Sequence, residues 1–208
     1  MSDVEKVLQL AALILSLVNG TAILYQYVRD KPILKVDAIH PDKYQWWFPL
    51  PSRVAEESGR RRYGLLTYVG IANQGLRKVQ LTSWRLLIKT KAGKRVELMA
   101  RSIPEPKFAF TLPDSSTFTK VIQVLGTAGE FGSGSTVIDS GCSIIGVAYY
   151  VAEFQPADSD DLSIVGDTTT ATFVAKGVLG RSTSTPIHFH KTDFDWVKSA
   201  VSGIEAVS

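Results

Sequence analysis

The chain has 208 residues, 45% apolar and 21% charged, with a formal net charge of +3. These values fit one globular domain with an appendage and exclude a wholly disordered chain, and the mild positive balance lacks the dense Lys/Arg stripe of a dedicated nucleic-acid binder. A single cysteine, Cys142, excludes an internal disulfide and points to a reducing compartment.

From Val7 to Val28 no residue is charged. As a helix this run spans about 33 Å, against about 30 Å of bilayer hydrocarbon. Leu8, Leu10, Leu13, Ile14, Leu15, Leu17, Val18, Ile23 and Leu24 favour insertion, and Tyr25 and Tyr27 stand where an aromatic belt lies. Arg29, Asp30, Lys31 and Pro32 stop the run. A soluble core helix would show a charged polar face, and an interfacial helix would carry Lys or Arg on its polar side. A cleaved signal peptide is the remaining rival, because Gly20-Thr21-Ala22 resembles a cleavage site. Against it, Asp3 and Glu5 outweigh Lys6 in a segment that should be positive. The segment therefore reads as a tail and transmembrane helix over 1–31, spanning about 7–28. Arg29, Lys31, Lys35 and Lys43 follow the span and Lys6 precedes it, which places the C-terminal domain in the cytoplasm by the positive-inside rule. The alternative is an extracytoplasmic or periplasmic domain. Ala12, Ser16 and Gly20 form a stripe of small residues four apart, with Asn19 and other amides beside it. Such a stripe lets helices approach closely, and it marks a surface for self-association or for docking a membrane subunit.

After Pro32 the pattern turns from helical to alternating. Leu34, Val36, Ala38 and His40 share one face of a first strand, and a proline-punctuated stretch with Pro41, Pro49 and Pro51 reads as a loop. A strand through Leu65–Ile71 closes at Asn73-Gln74-Gly75. The next runs from Val79 through Ile88, with a phase slip near Thr82-Ser83 that predicts a β-bulge. Ala92-Gly93-Lys94 is a hairpin turn before a returning strand, Arg95–Met99. Thr117–Leu125 reads as a strand, and Gly126–Ser135 as a glycine-rich loop. Ser143–Phe154 is apolar on both faces and predicts a central, doubly covered strand. Leu162–Val165, Thr168–Ala175 and Pro186–Lys191 complete the strands. A helix follows from Asp193 to Ile204, with Thr192 or Asp193 as its N-cap.

Short strands separated by turn signals predict an all-β antiparallel sandwich over 32–191, followed by an amphipathic C-terminal helix within 192–208. The strand-turn-strand run ending at Asn73-Gln74-Gly75, followed by an apolar strand with embedded Trp84, resembles membrane-tethered immunoglobulin-like β-sandwich domains of unknown function. The Cys…Trp…Cys framework of true immunoglobulin domains is absent. The resemblance implies a recognition or scaffold role and no chemistry.

Few constellations carry chemistry. His188-Phe189-His190 puts two imidazoles on one strand face, and Asp193 or Asp195 could add a carboxylate, so His188, His190 and Asp193 form the candidate metal site. Its plain alternative is the polar outer face of an edge strand. Cys142 reads as a small buried thiol without a base. Gly126–Gly134 lacks the Lys-Ser/Thr ending of a phosphate loop. Asp158, Asp160 and Asp161 break the EF-hand spacing at Leu162. Arg60-Arg61-Arg62 reads either as a solvated loop charge run or as a contact for anionic lipid, an acidic partner or nucleic acid. Tyr44, Trp46, Trp47 and Phe48 either pack the core or form a membrane or partner contact. The sequence thus predicts a non-catalytic, membrane-anchored interaction or scaffold module. It requires no cofactor and no nucleic acid; its partners are the bilayer and a protein, or a second copy through the transmembrane helix. The competing expectation is a metal- or ligand-sensing domain built on His188 and His190.

Overall fold

The computed structural model describes residues 3–41, 44–51, 59–104, 107–111, 117–121, 124–125, 136–155, 160–178, 182–201 and 204. It opens with a 27-residue helix, α1 (Asp3–Arg29), none of whose residues is buried. This helix is long and apolar enough to cross a membrane, with a mean hydropathy of 2.0 over its most apolar window. Asp3 and Glu5 complement its N-terminal dipole and Arg29 its C-terminal one.

Twelve strands follow: β1 (Leu34–Ala38), β2 (Gln45–Leu50), β3 (Arg61–Asn73), β4 (Val79–Lys89), β5 (Arg95–Met99), β6 (Lys107–Thr111), β7 (Thr117–Val121), β8 (Thr136–Ile138), β9 (Ser143–Phe154), β10 (Ile164–Val165), β11 (Thr168–Gly177) and β12 (Ser182–Lys191). A short helix, α2 (Phe194–Ala200), closes the described chain. The main sheet runs β1-β3-β2-β12-β11-β4-β5, with β9 on β3, β8 on β4 and β10 on β11, while β6 and β7 pair separately. All of these pairs are antiparallel but one: β12 and β2 are parallel at His190–Trp46 and Lys191–Trp47. The expected purely antiparallel architecture is therefore corrected to a mixed sheet.

Alternation along β3 builds two cores at once. Leu65, Val69 and Ile71 enter the larger core, and Leu66 and Tyr68 face the smaller one. Strand β9, its partner over twelve residue pairs, divides the same way: Ala148, Tyr150 and Ala152 point to the larger core, Val147, Tyr149 and Val151 to the smaller. The double coverage read from the apolar run at 143–154 holds from Gly146 onward, but the expected central position is corrected: among the described strands β9 pairs with β3 alone, beyond single bridges to Arg101 and Val124. Strands β4, β11 and β12 add Leu86, Phe173 and Phe189 to the larger core. The smaller core is closed by Val197 and Ala200 of α2 and by its C-cap Val201. The Asp193 carboxylate accepts from the Asp195 amide and caps this helix, as its position predicts.

Strand β2 corrects the loop expected between His40 and Gly59. Its aromatic residues are strong strand formers and alternate between the cores, with Trp47 facing the larger and Phe48 the smaller. Pro49 is tolerated because it sits exposed near the strand end. Gly64, opposite Phe48, leaves the space that the Phe48 ring fills. The phase slip in β4 is a bulge: Lys176 pairs with Ser83 and Gly177 with Leu81, which leaves Thr82 over.

Candidate functional site

The structure separates the sequence-derived candidates into groups at opposite ends of β3. At one end, the chain leaving α1 is locked onto the turn after β3. The Gln74 amide donates to the Ile33 carbonyl at 2.8 Å. Gly75 approaches so closely that a Cβ there would stand 2.3 Å from the Lys31 carbonyl oxygen and 2.5 Å from Pro32 Cα. Asn73 is the hub of this junction and is 1% exposed. Its side-chain amide donates to the carbonyls of Arg77 at 2.7 Å, Ile138 at 3.2 Å and Asp139 at 3.3 Å, and its Oδ1 accepts from the Gly75 amide at 3.1 Å. The Asn73 backbone amide donates to the Cys142 carbonyl, and its carbonyl accepts from the Gly141 amide. Sequence reasoning took Asn73 only as a turn residue. The signal it carried was the capacity of an asparagine side chain to bond nearby backbone.

Cys142 itself is exposed, which corrects the expectation of a buried thiol. It precedes β9 in the turn held by Asn73, and the continuous buried run of that strand starts only at Gly146. On α1, the stripe of Ala12, Ser16 and Gly20 and the neighbouring Asn19 are all exposed. Nothing approaches within 4 Å of a Cβ placed on Gly20.

Arg60, Arg61 and Arg62 lie at the other end of β3, about 40 Å of strand away from Asn73. They lead into and begin the strand, rather than forming a solvated loop run, and they are engaged in ion pairs. Arg62, with its side chain 2% exposed, pairs with Glu153 at 3.3 Å and donates to the Pro51 carbonyl at 2.9 Å. Arg60 also reaches Glu153, at 3.8 Å, and bonds Gln155. Arg61 pairs with Asp161 and donates to the Asp160 carbonyl. Their charges are thus shared with Glu153 and Asp161.

Asp161 also pairs with Lys91 at 3.5 Å and accepts a hydrogen bond from Tyr63. Burial first, then that bond and the Asp161 charge, push the Tyr63 phenol up to about 12. The Asp160 carboxylate is held below its ordinary range by hydrogen bonds from Thr90 and the Ala92 amide. These two carboxylates brace the 160–162 segment against the β4–β5 hairpin. Asp158, and the glycine-rich stretch 126–134, lie outside the described residues.

The aromatic run divides. Trp47 and Phe48 are buried, so neither offers a surface for a partner or for lipid. Trp46 and Tyr44 are half-buried and join a chain of edge-on rings: Tyr44 meets His40, Tyr68 and Trp46, and Trp46 meets Trp196 at 4.9 Å between centroids. Burial, and then the neighbouring Tyr68, raise the Tyr44 phenol above its ordinary value. His188 is exposed and His190 half-buried, with Phe189 turned into the core between them. Asp193 is occupied as the α2 cap. Among the described residues no three His, Cys, Asp or Glu side chains gather to hold a metal ion.

These observations define a mostly-β domain behind one long apolar helix. No family model matches the chain. No curated protein matches it either. Among solved structures, a FixG-related protein from Vibrio parahaemolyticus is 12% identical, with 78% of this chain and 98% of that one covered, at a TM-score of 0.28. A family 123 glycoside hydrolase from Clostridium perfringens is 8% identical over 78% of this chain and 28% of its own, at a TM-score of 0.36. Likenesses this slight carry no argument about activity.

Proposed function

We propose that this protein is a single-pass, membrane-anchored, non-catalytic interaction module. In this reading α1 spans the bilayer and an immunoglobulin-like sandwich is held at the membrane surface as an accessory or scaffold for a protein partner. The observation that carries it is a fully exposed apolar helix whose exit is fastened to the domain. Leaving the large apolar side chains of α1 in water would be unfavourable, and the domain buries none of them. The Asn73–Gly75 junction supports a display role, because a fastened exit fixes the height and tilt of the domain over the bilayer. Ala12, Ser16, Asn19 and Gly20 supply a face for a second copy or another membrane subunit. Arg29, Lys31 and Lys35 favour a cytoplasmic domain.

Two measurements test this reading. Alkaline carbonate should leave the chain in the membrane pellet, and detergent should release it. Purified in mild detergent, it should run as a homo-oligomer or bring a stoichiometric partner, and Gly20→Leu should disperse that assembly. A chain that washes off in carbonate, or a strictly monomeric particle without a partner, overturns the proposal.

A further inference from the structure

The junction that fastens the helix also shapes a cleft of about 410 Å³ between the end of α1 and the turn after β3. Tyr27, on the last turns of α1, forms one side. Lys31 and Arg77 approach its ring, with the Lys31 ammonium 5.9 Å and the Arg77 guanidinium 5.4 Å from the centroid. Lys78 adds a third cation, and Val137 and Val178 form an apolar wall. Both valines are solvent-exposed, 52% and 40% respectively. Among the described residues the carboxylate near this cleft is Asp139, which pairs with Lys78 at 3.3 Å, while Asp30 pairs with Arg29. Lys31 and Arg77 make no ion pair among the described residues. Among the described residues the cleft therefore holds positive charge without an ion-pair partner on Lys31 and Arg77, beside an apolar wall.

Its placement selects the ligand. Lys31 follows α1 by two residues, so with α1 in a bilayer the cleft opens at headgroup depth, where an aromatic ring and basic side chains are favoured. We infer that the cleft binds the phosphate-bearing headgroup of an anionic phospholipid. Lys31 and Arg77 contact the phosphate, Lys78 reaches the outer headgroup, and Val137 and Val178 cover the glycerol and the first methylenes. Arg77 presents a planar fork of donors suited to phosphate, and Lys31 adds a mobile point charge. The Asn73 amide pre-organises the site, since it bonds the Arg77 carbonyl and so sets where that side chain starts. Each basic residue beside an anionic surface strengthens binding about fivefold. This inference rests on α1 spanning the membrane.

The test uses the full chain, extracted into detergent and equilibrated with equal amounts of phosphatidylglycerol and phosphatidylcholine. Native mass spectrometry then reads the lipids retained. Preferential retention of phosphatidylglycerol, falling about 25-fold in Lys31→Gln/Arg77→Gln and kept in Arg77→Lys, is the expected result. Thermal melts of the variants, unchanged from the parent, show that folding is intact. Equal retention of both lipids, or a preference that survives the double substitution, overturns the inference. Competition by inorganic phosphate as strong as by the lipid assigns the site to a free anion and overturns the lipid source. Carbonate extraction of the same membranes keeps the two readings apart. A chain that washes off loses the spanning reading, whereas a chain that stays but shows no lipid preference loses the cleft alone.

Discussion

The two ends of β3 hold their surroundings by different physics. At Asn73 one neutral, buried amide bonds four backbone groups and fixes the path of two chain segments, 75–77 and 138–139. At Arg62 the work falls to charge: a buried guanidinium faces Glu153, and Arg60 and Arg101 stand 3.8 Å from the same carboxylate. Backbone bonds to a buried amide tolerate no substitute of other shape. A cluster of cations around one partly exposed anion loses one member and keeps the rest. The difference predicts a brittle end beside the exit of α1 and a forgiving end away from it.

Asn73→Ala breaks the brittle end and should have the largest effect. It orphans the buried Ile138 carbonyl and the buried Gly75 amide at once and frees the carbonyls of Arg77 and Asp139, and urea unfolding should show a loss of about 3 kcal/mol. A loss under about 1 kcal/mol would remove Asn73 from its central place. Gly75→Ala comes next. Its methyl would strike backbone atoms of Lys31 and Pro32, which cannot rotate away, so the junction must open at a cost of about 2 kcal/mol. Faster proteolysis between 29 and 33 would report the opening. Arg62→Met keeps the volume and removes the charge. Glu153 remains one-third exposed and still faces two arginines, so the loss should be nearer 1 kcal/mol and should shrink further in high salt.

The smallest effect appears only in alkali. Tyr63 is pushed up to about 12, and complete burial raises the Tyr150 phenol well above its ordinary value. The unfolded chain releases both protons near pH 10, while the folded chain keeps them, so folding stability is intact below about pH 10 and falls as pH rises towards 12. Urea midpoints on either side of pH 10 should show this decline, and Tyr63→Phe should lessen it, leaving the part that Tyr150 carries.

Much of this architecture was legible because periodicity records burial. The run at 143–154 had no polar face and became a strand covered on both sides. The slip at Thr82 became a bulge, and the hairpin at Ala92–Lys94 closed with Gly93 at φ 82. Strand β2 was hidden because two prolines flank or interrupt it, and proline is a local signal that tertiary pairing overrode. The parallel contact of β2 with β12 was not legible, since pairing partners far apart in sequence leave no trace in either strand's pattern. The candidate site divided the same way. His188 and His190 share a face as alternation requires, yet their carboxylate neighbour Asp193 was claimed by the helix it caps. Trp47 and Phe48 disclosed their size and not their burial. The cleft residues Arg77 and Lys78 gave no sign at all, because only the fold brings them beside Tyr27.

The turn that Asn73 secures has one practical outcome for experiment. It carries the sole sulfhydryl of the chain on the outside of the domain, beside the junction that receives the end of α1. An impermeant maleimide applied to intact cells will alkylate the native molecule if the domain faces outward and spare it if the domain faces inward. Sidedness can therefore be read without fusing a reporter or altering a residue.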